Sequence, residues 1–257
     1  MSATSDRKAA TRLGRAVRAT ANGAAIPTAA KRESSRQTNW LRDVILGGQD
    51  GLVNILGIIL GVIAGGGSNT VLIVAGFAAA ITESISMGAV GYTSSISERD
   101  YYQSEQARER AAIAAKPAAE RDEIRAIYAA KGFSGKLLDD VVETITANRE
   151  TWLATMMDEE LHLQPVATRD IVRTAVVVGI ATLIGHMIPL VPFALLDREP
   201  ALILAIVLSA ITLFGVGAYS ALTLVGDWRR SGLKFIAIGL GAAAIGFVIG
   251  RLFNAAG

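Results

Sequence analysis

Residues 70–95 read TVLIVAGFAAAITESISMGAVGYTSS, a run in which Glu83 is the single charged side chain. About 20 apolar residues in a helix cross the roughly 30 Å hydrocarbon core of a bilayer. This stretch is long enough, and charge returns immediately beyond it in Glu98-Arg99-Asp100. Working outward, four more runs meet the same criterion: Val44–Ala64, Thr174–Val191, Ala201–Val225 and Leu233–Phe253. The third span is the shortest and carries Pro189, with Pro192 just beyond, where a helix is expected to kink or stop.

Charge is segregated along the chain rather than interleaved. Residues 43–97 hold three acidic and no basic side chains, and 174–257 hold eight charges, against 26 in residues 98–173. With 51% hydrophobic residues and a mean hydropathy of +0.41, this patterning predicts an all-α membrane protein. Five transmembrane helices enclose a cytoplasmic helical domain between spans 2 and 3. The boundaries are a disordered cytoplasmic tail (1–40), spans 1–2 (41–97), the insert (98–165) and spans 3–5 (166–257).

Lys and Arg set the orientation. Nine lie at the N-terminal end up to Arg42, eleven in 98–173 and three in the 227–234 turn, whereas the 189–200 connection has Arg198 alone and 65–70 has none. The N-terminus, insert and 227–234 turn are therefore expected on the cytoplasmic side. The tail is basic and polar, with a short amphipathic piece at 8–19 and no signal-peptide run. A cytosolic tail is preferred to a transit peptide, and a bacterial inner membrane to a vacuolar one.

Several function classes are disfavoured. The chain has no cysteine for a disulfide or thiolate site, and no GxxxxGK[ST] phosphate loop that would point to ATP as the driving force. With two histidines and no nucleophile–base pairing visible in the sequence, an enzyme is poorly supported. No nucleic-acid partner and no permanently bound cofactor are expected.

Charged groups inside a span are costly and mark functional sites. Asp50 lies in Gly47-Gly48-Gln49-Asp50-Gly51 of the first span. Glu83 shares a helix face with Met87, four residues on. A carboxylate with a thioether suits transient contact with a divalent transition metal, whereas a cap at Asp50 and a packing role for Met87 are the structural alternatives. Asp43, beside Arg42 at the inner interface, reads as structural. His186 reads as a hydrogen-bonded structural histidine near the outer face, with a proton relay as the alternative. Gly57, Gly61 and Gly65 repeat every four residues, as do Gly246 and Gly250, a spacing that fits either packing within one bundle or a homodimer face.

In the insert, Pro117 opens a helix, Gly132 closes it, Ser134 starts the next, and Asn148 caps a last one running to about Leu163. Glu120 and Glu123 share a face, and Glu109 lies three helical turns earlier. Met156 and Glu160 are i, i+4, with Met157 and Glu159 alongside. These carboxylates and sulfurs suit a divalent metal, although a charge-rich helical domain is more often simply solvated.

From Trp40 to Phe253 the chain resembles the vacuolar iron transporter family. The resemblance rests on Leu41-Arg42-Asp43-Val44-Ile45-Leu46-Gly47 with Asp50-Gly51-Leu52-Val53, and on Ser84-Ile85-Ser86-Met87-Gly88-Ala89 leading to Ser97-Glu98-Arg99-Asp100-Tyr101-Tyr102. Glu120-Arg121-Asp122-Glu123-Ile124 and the run Asn148 to Leu161 complete it. It implies a proton-coupled antiporter carrying Fe²⁺ or Mn²⁺ out of the cytosol, a homodimer, and a cytosolic metal-binding domain using Glu109, Glu120, Glu123, Met156, Met157 and Glu160. That domain would feed a path containing Asp50 and Met87. The resemblance also favours the dimer reading of the first-span glycines.

Two positions depart from the family pattern. Ala79 stands where a second-span glutamate is usual, so either Glu83 substitutes one turn later or the coupling differs. Ala112 replaces a further glutamate in the insert, which implies reduced affinity or metal count. A membrane-anchored metal buffer or sensor that does not transport is the rival function.

Overall fold

The computed structural model describes residues 28–224 and 226–255, with side chains from residue 40 to residue 254 apart from Leu224. Among the described residues eight α-helices follow one another: α1 (Thr28–Ala64), α2 (Asn69–Ala115), α3 (Pro117–Ala130), α4 (Gly135–Thr146), α5 (Arg149–Thr155), α6 (Thr168–Leu195), α7 (Arg198–Leu224) and α8 (Trp228–Ala255). A π-helical turn, Met156–Glu160, follows α5. The described residues contain no strand. Most of the expected N-terminal tail, including the piece at 8–19, lies outside the described residues, as does Val225. Helix α1 starts within the stretch read as tail.

Among the described residues five helices are long and apolar enough to span a bilayer, within Trp40–Ala64, Asn69–Ala115, Thr168–Leu195, Arg198–Thr223 and Trp228–Asn254. Their order in space follows from close backbone approaches. Gly47 and Gly51 of α1 meet Val178 and Thr182 of α6, so these helices run parallel. Gly76 and Gly88 of α2 meet Leu190 and Ala175, so α2 runs antiparallel to α6. Helix α8 pairs antiparallel with α7 and parallel with α1. The insert and the 227 turn consequently share one end of the bundle.

The first-span glycines meet α8 of the same chain. A Cβ on Gly61 would stand 3.1 Å from the Gly246 carbonyl oxygen, and one on Gly250 would overlap the Gly61 carbonyl. Apolar side chains gain little by leaving lipid for each other, so spans associate where small residues let backbones interlock. Gly57 and Gly61 are used in this way, which supports the reading of packing within one bundle at these two positions; Gly65, at the end of α1, is exposed.

The two prolines do not end the third span. Helix α6 continues through Pro189 and Pro192 to Leu195. A buried span tolerates proline where neighbouring helices support the backbone. Pro189 and Pro192 are both buried, and Gly185, four residues before Pro189, packs directly against the backbone of α1.

Helix α2 has 47 residues and is about 70 Å long at 1.5 Å per residue. Its C-terminal half therefore projects beyond a hydrocarbon core of about 30 Å and forms the first wall of the insert. Pro117 occupies the first turn of α3 after the break at Lys116. The Asn148 side chain accepts from the Glu150 and Thr151 amides to start α5. Ile113, Ile124, Leu138, Val142, Trp152, Leu153, Met156 and Met157 form the insert core. Leu138 and Val142 turn inward from α4, whereas Leu137 is exposed.

Candidate functional site

Two clusters of ionisable groups stand at different levels of the molecule. The first lies where α1, α2 and α6 meet inside the membrane-spanning bundle. The imidazole of His186 is 0% exposed. Its Nδ1 lies 2.7 Å from the Thr182 carbonyl oxygen, and its Nε2 lies 2.9 Å from Glu83 Oε2. A carbonyl only accepts, so Nδ1 carries a proton. The contact from Nε2 to the carboxyl oxygen then needs a second proton, held either by the imidazole or by the carboxyl. In both forms the pair has no net charge, which is how an ionisable couple is accommodated at membrane depth.

The Asn54 amide donates to the same Glu83 oxygen, and Asp50 neighbours both Glu83 and His186. Asp50 and Asn54 are four residues apart on one face of α1, and both are exposed in the protomer. Met87 is half-buried one turn along α2 from Glu83. The structure therefore brings Asp50 and Glu83 together. His186 is level with Gly51 and Glu83, which corrects its assignment to the outer face. Ala79 packs against the apolar cluster around Ile55, Ile59, Leu72, Leu190 and Phe193, so the second-span carboxylate sits one turn nearer the insert. Asp43 accepts from Thr174 at 3.1 Å, tying α1 to α6.

The second cluster lies in the insert. The C-terminal end of α2 supplies Glu109, α3 supplies Glu120 and Glu123, and the π turn supplies Glu160. Glu120 is only 8% exposed, and Glu109 Oε1 is buried without a hydrogen-bond partner. Burial, and then the negative charge of Glu120 with further contributions from Glu160 and Glu123, pushes Glu109 up to about 7. Partial burial followed by Glu120 and Glu160 raises Glu123. Glu160 is raised by burial and by Glu120, with Arg108 opposing. These four carboxylates share one negative field, an arrangement suited to a cation.

Met156 and Met157 occupy a different setting from the one the spacing suggested. Both are fully buried in the insert core beside Trp152 and Ile124. They continue the buried face of α5, following Trp152 and Leu153 at i+4; the π turn begins there, with Leu161 N–H bonded to Met156 C=O five residues back rather than four. Glu159 is drawn to Lys131 by an ion pair. Among the described residues no three His, Asp or Glu side chains form a ready-made metal cage. The acidic groups gather without closing around a point.

Sequence reasoning gave Asn54 no role and His186 a structural one. Asn54 was visible as the polar residue one turn after Asp50, and His186 as the lone imidazole in an apolar span.

A family model described as the VIT family matches residues 41–251. The chain is 30% identical over 213 residues to vacuolar iron transporter 1 of Arabidopsis thaliana, covering 82% of this chain and 85% of that protein. It is 32% identical over 181 residues to vacuolar iron transporter 1 of Tulipa gesneriana, covering 69% and 73%. Against vacuolar iron transporter 1 of Oryza sativa subsp. japonica the identity is 31% over 178 residues, covering 68% and 71%.

Proposed function

Because the chain belongs to the VIT family, we propose that it is a secondary-active exporter that exchanges cytosolic Fe²⁺ or Mn²⁺ for protons. The observation that carries this reading is the Asp50–Glu83–His186 group inside the spans. A membrane anchor has no need of ionisable side chains at that depth, whereas a path for a charged cargo does. The relatives named above are called iron transporters, which supports iron as the cargo. Oxygen-rich ligands with an accessory sulfur serve Mn²⁺ equally.

In this reading the insert faces the cytosol. Glu109, Glu120, Glu123 and Glu160 capture the metal, and Met156 and Met157 supply sulfur from beneath once the π turn adjusts. The cation then moves to Asp50 and Met87, while Asp50 or Glu83 carries the counter-moving proton. Leu46, Asp50 and Asn54 form an exposed stripe on α1. A second copy packed on that stripe would remove two polar side chains from lipid and enclose the path between protomers, so the homodimer is assigned to this face.

The deciding experiment is Fe²⁺ and Mn²⁺ uptake into proteoliposomes with a pH-sensitive dye inside. Metal entry with internal alkalinisation is the expected result. Bound metal without flux would reject transport in favour of metal buffering.

A further inference from the structure

We infer that His186 is a positioning residue of the transport path: its Nε2 edge holds the Glu83 carboxylate against α1 beside Asp50. This rests on the transport reading above. Both ring nitrogens are engaged, one by the Thr182 carbonyl and one by Glu83. The carbonyl contact fixes the plane of the ring, as a backbone acceptor does for imidazoles that present their other nitrogen to a partner. Helix α1 makes room for the ring: a Cβ on Gly51 would stand 2.7 Å from Nδ1.

Packing alone does not account for this arrangement. An apolar side chain such as the adjacent Met187 fills space between spans without a polar partner. A fully buried imidazole needs two, and it has them. Glu83 in turn accepts from Asn54 of α1, so one carboxylate ties three helices together next to Asp50. The charged or titratable groups facing the imidazole are Glu83 from α2 and Asp50 from α1, while its own helix supplies the Thr182 carbonyl. With Ala79 in an apolar cluster, Glu83 is the carboxylate that the second span brings to the path. His186 sets where that carboxylate points.

The test separates the two edges of the ring. In His186→Gln the terminal amide nitrogen approximates Nε2 and reaches Glu83. In His186→Asn the shorter amide approximates Nδ1, reaching Thr182 but not Glu83. Metal flux and its KM are measured in proteoliposomes for the parent, both variants, Glu83→Gln and Glu83→Gln/His186→Asn. Losing the hydrogen bond to the Glu83 carboxyl group is worth roughly tenfold, so H186N should carry metal about tenfold more slowly than H186Q, through maximal rate more than KM. H186N should add no further loss in the E83Q background.

Equal flux in H186N and H186Q, or a full additional loss from H186N on top of E83Q, would overturn the inference. Should H186N not fold, H186Q carries the test: flux in folded H186Q as low as in E83Q would overturn the inference, and flux close to the parent supports it. No flux from the parent protein would instead reject the transport reading, and this inference with it.

Discussion

The two carboxylate clusters solve opposite problems. Within the spans, Glu83 is met by an imidazole and an amide, and the Glu83–His186 pair has no net charge. In the insert, Glu109, Glu120, Glu123 and Glu160 stand together, with Arg108 opposing the repulsion at Glu160, and Glu109 leaves a buried oxygen unpaired. The Glu83–His186 pair is satisfied as it stands. The insert group is not, and a cation would relieve its repulsion. The difference suggests a division of labour: the insert collects metal at equilibrium, whereas the membrane group exchanges it, because a path must not hold its cargo tightly.

The largest expected effect breaks the two apart. Asp50→Ala should reduce metal flux to the level of protein-free liposomes while leaving metal binding by the full-length protein in place, read by calorimetry. Glu120→Gln/Glu123→Gln should do the reverse, weakening binding about tenfold or more by removing two charged oxygen donors while leaving measurable flux at saturating metal. Unchanged flux in D50A would remove Asp50 from the path. Loss of both properties in either variant would mean that the clusters are not separate in function.

A second pair of variants sharpens the role of the sulfurs. Met156→Ala opens a cavity in the insert core and should cost about 2–5 kcal/mol of local stability, seen as faster hydrogen exchange of α3–α5 amides in the intact protein. Met156→Leu keeps the volume and should cost less than about 1.5 kcal/mol. If M156L binds Fe²⁺ as the parent does, the methionine is core and the carboxylates are the whole site. A weakened affinity in a stably folded M156L makes the sulfur a ligand.

These contrasts also show where sequence reading stops. The five spans were legible because hydropathy responds to the bilayer itself, whose thickness sets helix length. Asp50 and Glu83 were legible because a charge in a span is conspicuous. The use of Gly57 and Gly61 was not, since GxxxG records a close approach without naming the partner, here Gly246 and Gly250 of α8. Nor was the burial of Met156 and Met157. The i, i+4 spacing pairs Met156 with Glu160 but does not tell that Met156 closes against Trp152 and Ile124 in the core while Glu160 stays exposed. His186 became interpretable only when α2 brought Glu83 to it across 103 residues of sequence.

The smallest effect is the pH dependence of the insert, and its sign is fixed by the raised carboxylates. Glu109 is raised to about 7 from an ordinary value of 4.5, so between these limits the folded insert binds a proton that the unfolded chain does not. Stability without metal should therefore fall as pH rises from about 4.5 to 7 and level off above, because ionisation restores the repulsion among Glu109, Glu120, Glu123 and Glu160. Partial exposure screens the cluster, so the slope is shallow. Glu109→Gln should flatten it. Metal binding has the opposite sign: the cation competes with the proton on Glu109, so affinity should weaken as pH drops through about 7. Hydrogen exchange of insert amides at pH 5, 6 and 7.5, with and without Mn²⁺, reads both slopes in one protein. Parallel slopes with and without metal would mean that the cation binds elsewhere, and the contrast between a satisfied membrane pair and an unsatisfied insert would lose its functional meaning.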